Sequence, residues 1–324
     1  MRTDALLNNG GSAIKAAVIG AGGIGGYFGA RLAAAGHEVH FVARGANLAA
    51  LQEHGLTVEG PEGAFSLPDV SATADTSSIG PVDLVLLAVK TWQLDAALPL
   101  LAPLVGPGSG TAVLTLQNGV TAPGETAAAV GRDAVLPGIA KVITLLDGPG
   151  RVRHVGGEGS LTFGEWDNRD SERVRRLQSV FTQAGVPATV PADIWAQLWA
   201  KFLFVVPFGG LGAAADATFG ELRTSPGTRQ LLVDGMTEVL RVAEGHGIAL
   251  PAGIVEDTLA FIDRQPAGGT SSLHRDIAAG RPSEIDAWTG AVVRLAAQAD
   301  VPAPLHGLLH QLLAPREARA RGKG

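Results

Sequence analysis

The chain contains no cysteine and only one tyrosine among its 324 residues. Without cysteine, a disulfide, a thiolate-held metal ion, an iron–sulfur cluster and a cysteine nucleophile are all excluded. The single tyrosine, Tyr27, is followed four positions later by Arg31. A Tyr-x-x-x-Lys catalytic pair of the short-chain dehydrogenase type is therefore excluded as well.

Positive charge is also scarce, because 25 Lys and Arg stand against 31 Asp and Glu, a formal net charge of −6. Binding of nucleic acid requires a basic face, so nucleic acid is not expected as a partner. The first residues lack the apolar segment of a secretory signal. Prolines and glycines interrupt the uncharged stretch 96–124, so we expect no membrane span and a cytoplasmic location.

The first half of the chain alternates between strand-like and helix-like segments. One helix is predicted at 27–36 and a hairpin at 55–67. Apolar runs predict five strands, at 16–20, 38–44, 82–90, 111–119 and 134–142. Such alternation is typical of a doubly wound parallel sheet, so the predicted fold class is α/β, with a Rossmann-type N-terminal domain.

The second half is predicted to be all-helical. Helices are expected at 193–208, 226–246, 253–264, 284–299 and 304–313. The predicted domains are a dinucleotide-binding domain over 1–191 and a helical substrate-binding domain over 192–324. We expect disorder in a lead at 1–14 and in a tail at 315–324.

A glycine-rich sequence, GAGGIG, joins the first predicted strand to the first helix. Gly20, Gly22 and Gly25 match the pattern G-x-G-x-x-G, with Gly23 and Ile24 between them. Glycines at this position let backbone N–H groups approach a pyrophosphate at a helix N-terminus. The pattern therefore predicts a dinucleotide site. The alternative is a glycine-rich turn without a ligand.

The residue that ends the second predicted strand bears on the choice of cofactor. NAD enzymes usually place a carboxylate there for the ribose 2′-hydroxyl. This chain has Arg44 instead, followed by Gly45 and Asn47. A guanidinium can bind a 2′-phosphate through two hydrogen bonds, so Arg44 favours NADPH. The alternative is a solvated surface arginine.

A reductase of ketones also needs a proton donor, and Lys201 is the candidate. It is the only charged residue in the apolar segment 198–208. Its ammonium group must reach solvent, pair with a carboxylate such as Glu284, or line a substrate site. Glu284 is expected in the first turn of a helix, where capping is its alternative role. Ser271 and Ser272 are expected on a loop.

Two other clusters of polar residues are discounted. Ser272, His274 and Asp276 occur without the G-x-S-x-G elbow of a hydrolase. His306 and His310 share a helical face but lack the further ligands of a zinc site. We therefore interpret the histidines as structural and predict no metal site.

Several segments of the chain together resemble the ketopantoate reductase (2-dehydropantoate 2-reductase) family. The resemblance extends from about residue 16 to residue 313. The motifs are IGAGGIGGYFGARLAAAGHEVHFVARG at 19–45, LLAVKTW at 86–92, LQNGV at 116–120, LWAKF at 198–202 and SSLHRDIAAGRPSEID at 271–286.

The resemblance implies an NADPH-binding Rossmann domain, a helical domain and the reduction of 2-dehydropantoate to pantoate, a step towards pantothenate and coenzyme A. It assigns the general acid to Lys201. It assigns substrate binding to Ser272, a catalytic carboxylate to Glu284, a position near the nicotinamide and the substrate to Asn118, and cofactor binding to Lys90. The oligomeric state is left open, with a homodimer among the options.

One departure from the family concerns the residues after Lys201. Well-studied members carry substrate-contacting asparagines four and eight positions after this lysine, where this chain has Val205 and Gly209. Loss of these amides weakens the case for recognition of the pantoate hydroxyl. The alternatives are a related oxidoreductase for another oxo or imino acid, and a non-catalytic sensor of NADP(H).

Overall fold

The computed structural model describes residues 13–61, 63–106 and 108–322. These residues form two compact units. The first unit takes its described residues from 13–89, 96–116 and 126–192, and the second from 90–95, 117–125 and 193–322. Two short segments of the N-terminal half therefore belong to the helical second unit. The assignment of separate cofactor and substrate domains stays a prediction.

The first unit is built on a sheet whose central strands are parallel. Its parallel part has the order β5-β2-β1-β6-β7-β8. These strands are β1 (Lys15–Ile19), β2 (Glu38–Val42), β5 (Ser71–Thr73), β6 (Leu84–Leu87), β7 (Ala112–Thr115) and β8 (Val135–Leu146). The strands β6 and β7 are buried throughout, as a sheet covered on both faces requires. The predicted α/β fold with a helical C-terminal region is confirmed.

An extension with both antiparallel and parallel pairings continues this sheet beyond β8. The predicted hairpin is confirmed as β3 (Leu56–Gly60) and β4 (Gly63–Leu67). Strand β9 (Arg151–Phe163) pairs antiparallel with β8 and parallel with β3, and β10 (Ala188–Thr189) pairs with β9. The sequence did not predict β9, because its first half mixes charged residues and glycines and is largely exposed.

Among the described residues of the N-terminal half, five α-helices accompany the strands, and two of these helices carry residues of both units. The five are α1 (Gly23–Ala34), α2 (Gly45–His54), α3 (Leu94–Ala97), α4 (Ala122–Val130) and α5 (Glu172–Gln183). The core of the first unit includes Phe28, Phe41, Phe163 and Phe181, all fully buried. It fixes the end of β1 against the start of α1, where the glycine-rich sequence lies.

The second unit is a bundle of helices around α6. Its helices are α6 (Ile194–Ala215), α7 (Phe219–Thr224), α8 (Pro226–Gly245), α9 (Ile254–Arg264), α10 (Ser272–Ala278), α11 (Thr289–Gln298) and α12 (Pro304–Ala320). Among the described residues, α6 alone is long and apolar enough to cross a membrane, and 67% of its apolar window is buried inside the protein. Such burial is expected of a helix at the centre of a folded unit.

Three local predictions for the second half are wrong. Helix α6 ends at Ala215 and not at residue 208, because packing of this apolar segment outweighs the backbone hydrogen bond lost at Pro207. Ser271 and Ser272 do not lie on a loop, since Ser271 caps α10 and Ser272 begins it. Glu284 does not lie in a first α-helical turn but precedes a 3-10 helix, Ile285–Ala287.

The prediction for the C-terminal tail is also wrong where the structure describes it. Helix α12 continues past Pro315 to Ala320, and Glu317 on its last turns is buried. Contacts of Glu317 and Arg316 with the rest of the bundle stabilise this end. Residues 323–324 of the predicted tail and 1–12 of the predicted lead lie outside the described residues, whereas Ile14 is buried.

Candidate active site

The glycine-rich sequence forms a tight connection between β1 and α1. Gly20 has φ +96°, a backbone conformation that favours glycine, and a Cβ there would lie 2.7 Å from the Val89 nitrogen. A Cβ on Gly25 would overlap the Gly20 carbonyl oxygen. Only glycine fits at these two positions, because the turn and the packing of α1 leave no space.

Gly22 differs from its neighbours in facing open space. A Cβ at this position would meet nothing within 4 Å. Gly22 is the N-cap of α1, Gly23 and Ile24 begin the helix, and its first turn carries no acidic side chain. An open backbone surface at a helix N-terminus fits the pyrophosphate of a dinucleotide.

Two residues that the sequence did not single out for this loop lie beside it. A Cβ on Gly23 would lie 2.7 Å from Thr144 Oγ1, so Thr144 on β8 borders the loop. Asn47 donates from Nδ2 to the Ala21 carbonyl oxygen at 2.8 Å and accepts from the Gly150 N–H at 2.9 Å. Asn47 therefore anchors the glycine loop to the turn between β8 and β9.

Arg44 lies next to this loop at the end of β2. It is the N-cap residue of α2, and its side chain is exposed. The Gly20 N–H donates to the carbonyl oxygen of Val42 at 3.2 Å, which joins the start of the loop to the strand end that carries Arg44. In the part of the chain that the structure describes, the Arg44 guanidinium makes no hydrogen bond or ion pair with another side chain. The role of Arg44 in cofactor binding stays a prediction.

Lys201 and Asn118 meet in the second unit. Lys201 is half-buried on α6, and its Nζ donates to Asn118 Oδ1 at 2.8 Å. The turn after β7 presents Asn118, and its Gly119 has φ +124°. A Cβ on Gly119 would lie 3.2 Å from the Ala287 carbonyl oxygen, so the turn packs against the 3-10 helix that follows Glu284. The structure thus brings together two residues predicted separately.

Glu284 pairs with Lys90, the other lysine assigned by the resemblance. Glu284 is 4% exposed and accepts a hydrogen bond from the Thr91 N–H at 3.2 Å. Lys90 Nζ lies 3.6 Å from Glu284 Oε2 and 3.5 Å from Asp276 Oδ2. Asp276, which the sequence had placed only in a discounted cluster, also binds Arg281 at 2.8 Å. The predicted pairing of Glu284 with Lys201 stays a prediction.

The serines of α10 divide into two environments. Ser271 Oγ accepts from the His274 N–H at 3.0 Å and so caps the helix, while Ser272 is half-buried at its first position. His274 Nε2 lies 2.7 Å from Asp216 Oδ1, at the end of α6. The role of Ser272 in substrate binding stays a prediction.

The face of α6 beyond Lys201 is apolar, and an indole ring fills part of it. A Cβ on Gly209 would overlap Trp288 Cζ3, lie 2.9 Å from Trp288 Cε3 and lie 3.4 Å from Ser271 Oγ. Val205 is half-buried on the same helix. Trp288 is 2% exposed and thus occupies the space of a side chain at position 209. No pattern in the sequence indicated this contact, which joins residues 79 positions apart.

Of the two histidines interpreted as structural, His310 Nε2 lies 3.7 Å from Asp286 Oδ1, and His306 contacts a buried carboxylate. His306 Nδ1 lies 2.6 Å from Glu238 Oε2, and both side chains are buried. Although burial opposes it, hydrogen bonds from His306 and from the backbone N–H groups of Leu305 and His306 hold the pKa of Glu238 below its usual value. Across 13–61, 63–106 and 108–322, no group of three His, Asp or Glu could hold a metal ion.

Comparison with known proteins gives consistent matches over most of the chain. Residues 16–168 match the model of the family described as Ketopantoate reductase PanE/ApbA, and residues 193–317 match the model of its C-terminal region. A 2-dehydropantoate 2-reductase of Mesorhizobium japonicum is 33% identical over 318 residues, covering 90% of this chain and 94% of that protein.

Two solved structures are similar along nearly the whole length. A 2-dehydropantoate 2-reductase from Geobacter metallireducens has a TM-score of 0.86 and 33% identity, covering 93% of this chain and 99% of the other. A ketopantoate reductase of the PanE/ApbA family from Ralstonia eutropha has a TM-score of 0.86 and 31% identity, with coverage of 95% and 99%.

Proposed function

Because this chain belongs to the ketopantoate reductase family of oxidoreductases, we propose that it reduces a 2-oxo acid with NADPH. The first candidate substrate is 2-dehydropantoate, which would become pantoate. The observation that carries the proposal is the hydrogen bond between Lys201 and Asn118, in the same unit as the Lys90–Glu284 pair. The family supports a nicotinamide cofactor, and the choice of NADPH rests on Arg44.

Residues of the first unit would bind the phosphate groups of this cofactor. The open backbone at Gly22 and the N-terminus of α1 would bind the pyrophosphate. Arg44 would bind the 2′-phosphate through charge-assisted hydrogen bonds. When bound, NADPH supplies a hydride.

Lys201 supplies the proton in this proposal. Reduction of a ketone adds a hydride to the carbonyl carbon and a proton to its oxygen, so a donor must lie at that oxygen. The Lys201 ammonium donates a hydrogen bond to Asn118 Oδ1, which fixes the position of the Nζ atom from which a proton would be given to the substrate oxygen. Buried donors that are fixed before reaction lower the cost of reorganisation as charge develops on oxygen.

Glu284 and Lys90 supply a second charged pair. The Glu284 carboxylate is buried and bound by the Thr91 N–H and by Lys90, so its position is defined. We assign Glu284 to catalysis, Lys90 to cofactor binding, Asn118 to both cofactor and substrate, and Ser272 to the substrate carboxylate, which a hydroxyl can bind.

A second candidate function is reduction of a different, more apolar 2-oxo acid. Trp288 fills the space beside Gly209, and Val205 carries no polar group, which favours a substrate without a terminal hydroxyl. A sensor that binds NADP(H) without turnover would have no need of a lysine fixed by Asn118.

A panel of 2-oxo acids tests these alternatives. Oxidation of NADPH is followed with 2-dehydropantoate and with 3,3-dimethyl-2-oxobutanoate, its analogue without the hydroxyl. We expect turnover of both with similar kcat/KM. A preference of several hundred-fold for 2-dehydropantoate would contradict the apolar-substrate candidate, and NADPH binding without any turnover would contradict both.

The proposed function also implies a cellular location and partners. A reductase of 2-dehydropantoate would act in the cytoplasm on a small-molecule substrate, on the route to pantothenate, without nucleic acid or membrane. A homodimer is the quaternary state that we test first. Light scattering coupled to size-exclusion chromatography would show twice the chain mass of 33.1 kDa.

A further inference from the structure

The last turns of α12 bind the segment that carries Glu284. Glu317 is 5% exposed, and its carboxylate accepts hydrogen bonds from the Ser283 N–H at 3.0 and 3.1 Å. The Ser283 hydroxyl donates to the same carboxylate at 2.5 Å. Ser283 is fully buried, so Glu317 satisfies both of its donors and fixes the residue directly before Glu284.

Arg321, the residue after α12, joins the Glu317–Ser283 contact to the segment that contains Trp92. Its Nε donates to Glu317 Oε1 at 2.5 Å, and its Nη2 donates to the Ser283 carbonyl oxygen at 3.2 Å. Its guanidinium also lies 5.4 Å from the centre of the Trp92 ring, in cation–π geometry. One side chain therefore contacts both Ser283 and Trp92, which are 191 positions apart.

These two segments carry the charged pair of the site. Ser283 adjoins Glu284, and Trp92 adjoins Thr91, whose N–H donates to Glu284. That hydrogen bond is 3.2 Å long, and the distance from Glu284 Oε2 to Lys90 Nζ is 3.6 Å. Lys90 is 45% exposed, and an ion pair with an exposed lysine contributes little on its own.

From these contacts we propose that Glu317 and Arg321 are positioning residues for Glu284. The pair fixes Ser283 on one side and Trp92 on the other, and so holds the Glu284 carboxylate against the Thr91 N–H and Lys90. Burial of a carboxylate such as Glu317 costs free energy unless the carboxylate is paired. Its partners here, Ser283 and Arg321, both belong to the junction, by which we mean the contact of Glu317 and Arg321 with residues 91–92 and 283–284. The expected effect on catalysis rests on the proposed function, whereas the expected effect on the position of Glu284 does not.

The first test measures the junction without any activity. Hydrogen exchange at the Thr91 amide is compared in wild type, Arg321→Ala and Glu317→Gln, with Arg319→Ala as the matched control, because Arg319 is exposed on the same helix. We expect exchange at Thr91 to be about tenfold faster in the two test variants, since local opening becomes easier. Unchanged exchange at Thr91 in both would overturn the proposal, even if wild type has no reductase activity.

The second test asks whether Arg321 acts through Glu284. With 2-dehydropantoate and NADPH, Arg321→Ala should lower kcat/KM about 10- to 100-fold, because misplacement by about 1 Å costs that much. The KM for NADPH and the rate of Arg319→Ala should not change. In a Glu284→Gln background, Arg321→Ala should have no further effect.

The outcomes separate the positioning role from a general structural one. Additive losses in the double variant would overturn the proposal, because they would show an effect independent of Glu284. If Arg321→Ala does not fold, Glu317→Gln and Arg321→Lys replace it in both tests, since both keep a polar side chain of similar length. A wild type that leaves 2-dehydropantoate unchanged would contradict the proposed function, and the exchange experiment would still decide on the junction.

Discussion

Lys201 on α6 donates a hydrogen bond from Nζ to Asn118 Oδ1 at 2.8 Å, although the two residues are 83 positions apart. The amide oxygen accepts this hydrogen bond and so fixes the position of the half-buried Lys201 Nζ. In the proposed function, this pair would supply two things that carbonyl reduction requires, a proton donor and a partner that fixes its direction.

Removal of the amide tests the orientation of the lysine. Asn118→Ala should lower kcat/KM for 2-dehydropantoate about 10- to 100-fold, because the Lys201 ammonium loses a fixed hydrogen-bond acceptor. Asn118→Asp, which retains an acceptor oxygen, should lose less. Steady-state kinetics check both variants, and equal activity of Asn118→Ala and wild type would contradict the role of this hydrogen bond.

Arg44 should determine the preference for NADPH. Arg44→Ala removes a charge-assisted contact to the 2′-phosphate, worth about 1.5–3 kcal/mol, which corresponds to roughly 10- to 100-fold in affinity. Binding of NADH should change little, and Arg175→Ala, an exposed arginine on α5, serves as control. Titration of the nucleotide fluorescence measures both affinities. Equal losses of affinity for NADPH and NADH would contradict the assignment of Arg44 to the 2′-phosphate.

The contact between Gly209 and Trp288 should make position 209 intolerant of any side chain. Gly209→Ala places a methyl group inside the Trp288 ring and should destabilise the fold by about 1–3 kcal/mol. Gly227 on α8 is exposed and has open space at its Cβ, so Gly227→Ala should be neutral or stabilising. The unfolding temperatures of the two variants are compared with that of wild type. Equal stability of the two variants would contradict the prediction, because it would show that Trp288 can shift without cost.

The Glu238–His306 pair should make stability depend on pH. The pKa of Glu238 is lowered from 4.5 in the folded protein, so its contribution is present above pH 4.5 and is lost as pH falls through the folded value. Glu238→Gln should cost about 1–3 kcal/mol at pH 7, and the difference should shrink below pH 4.5. Urea unfolding checks this, with Glu244→Gln on the same helix as control. A difference that does not change with pH would contradict the pKa shift.

Local patterns in the sequence were sufficient for five strands of the parallel part of the sheet and for the choice of candidate site residues. The spacing of Gly20, Gly22 and Gly25 after an apolar run predicts a strand, a turn and a helix start, because each depends on neighbouring residues only. Lys201 stands out because a lone charge in an apolar segment requires a partner. The parallel strands and the helical second half followed from the change in pattern along the chain.

Contacts between distant segments could not be predicted in the same way. The Lys90–Glu284 pair, the Gly209–Trp288 contact and the binding of Ser283 by Glu317 join residues that no periodicity relates. The helices predicted at 193–208 and 304–313 are also too short, because tertiary packing continues α6 to Ala215 and α12 to Ala320 although each contains a proline. The end of α12 was taken for a tail because its charged residues do not show that Glu317 is buried.

The measurement that tests the account most directly is the turnover of Lys201→Ala with 2-dehydropantoate and NADPH. If Lys201 donates the proton, kcat should fall about 10²- to 10⁴-fold, the usual range for a general acid. Binding of NADPH, followed by its fluorescence, should remain as in wild type. A variant that binds NADPH and keeps near-normal kcat would contradict the assignment of Lys201 and the mechanism built on it.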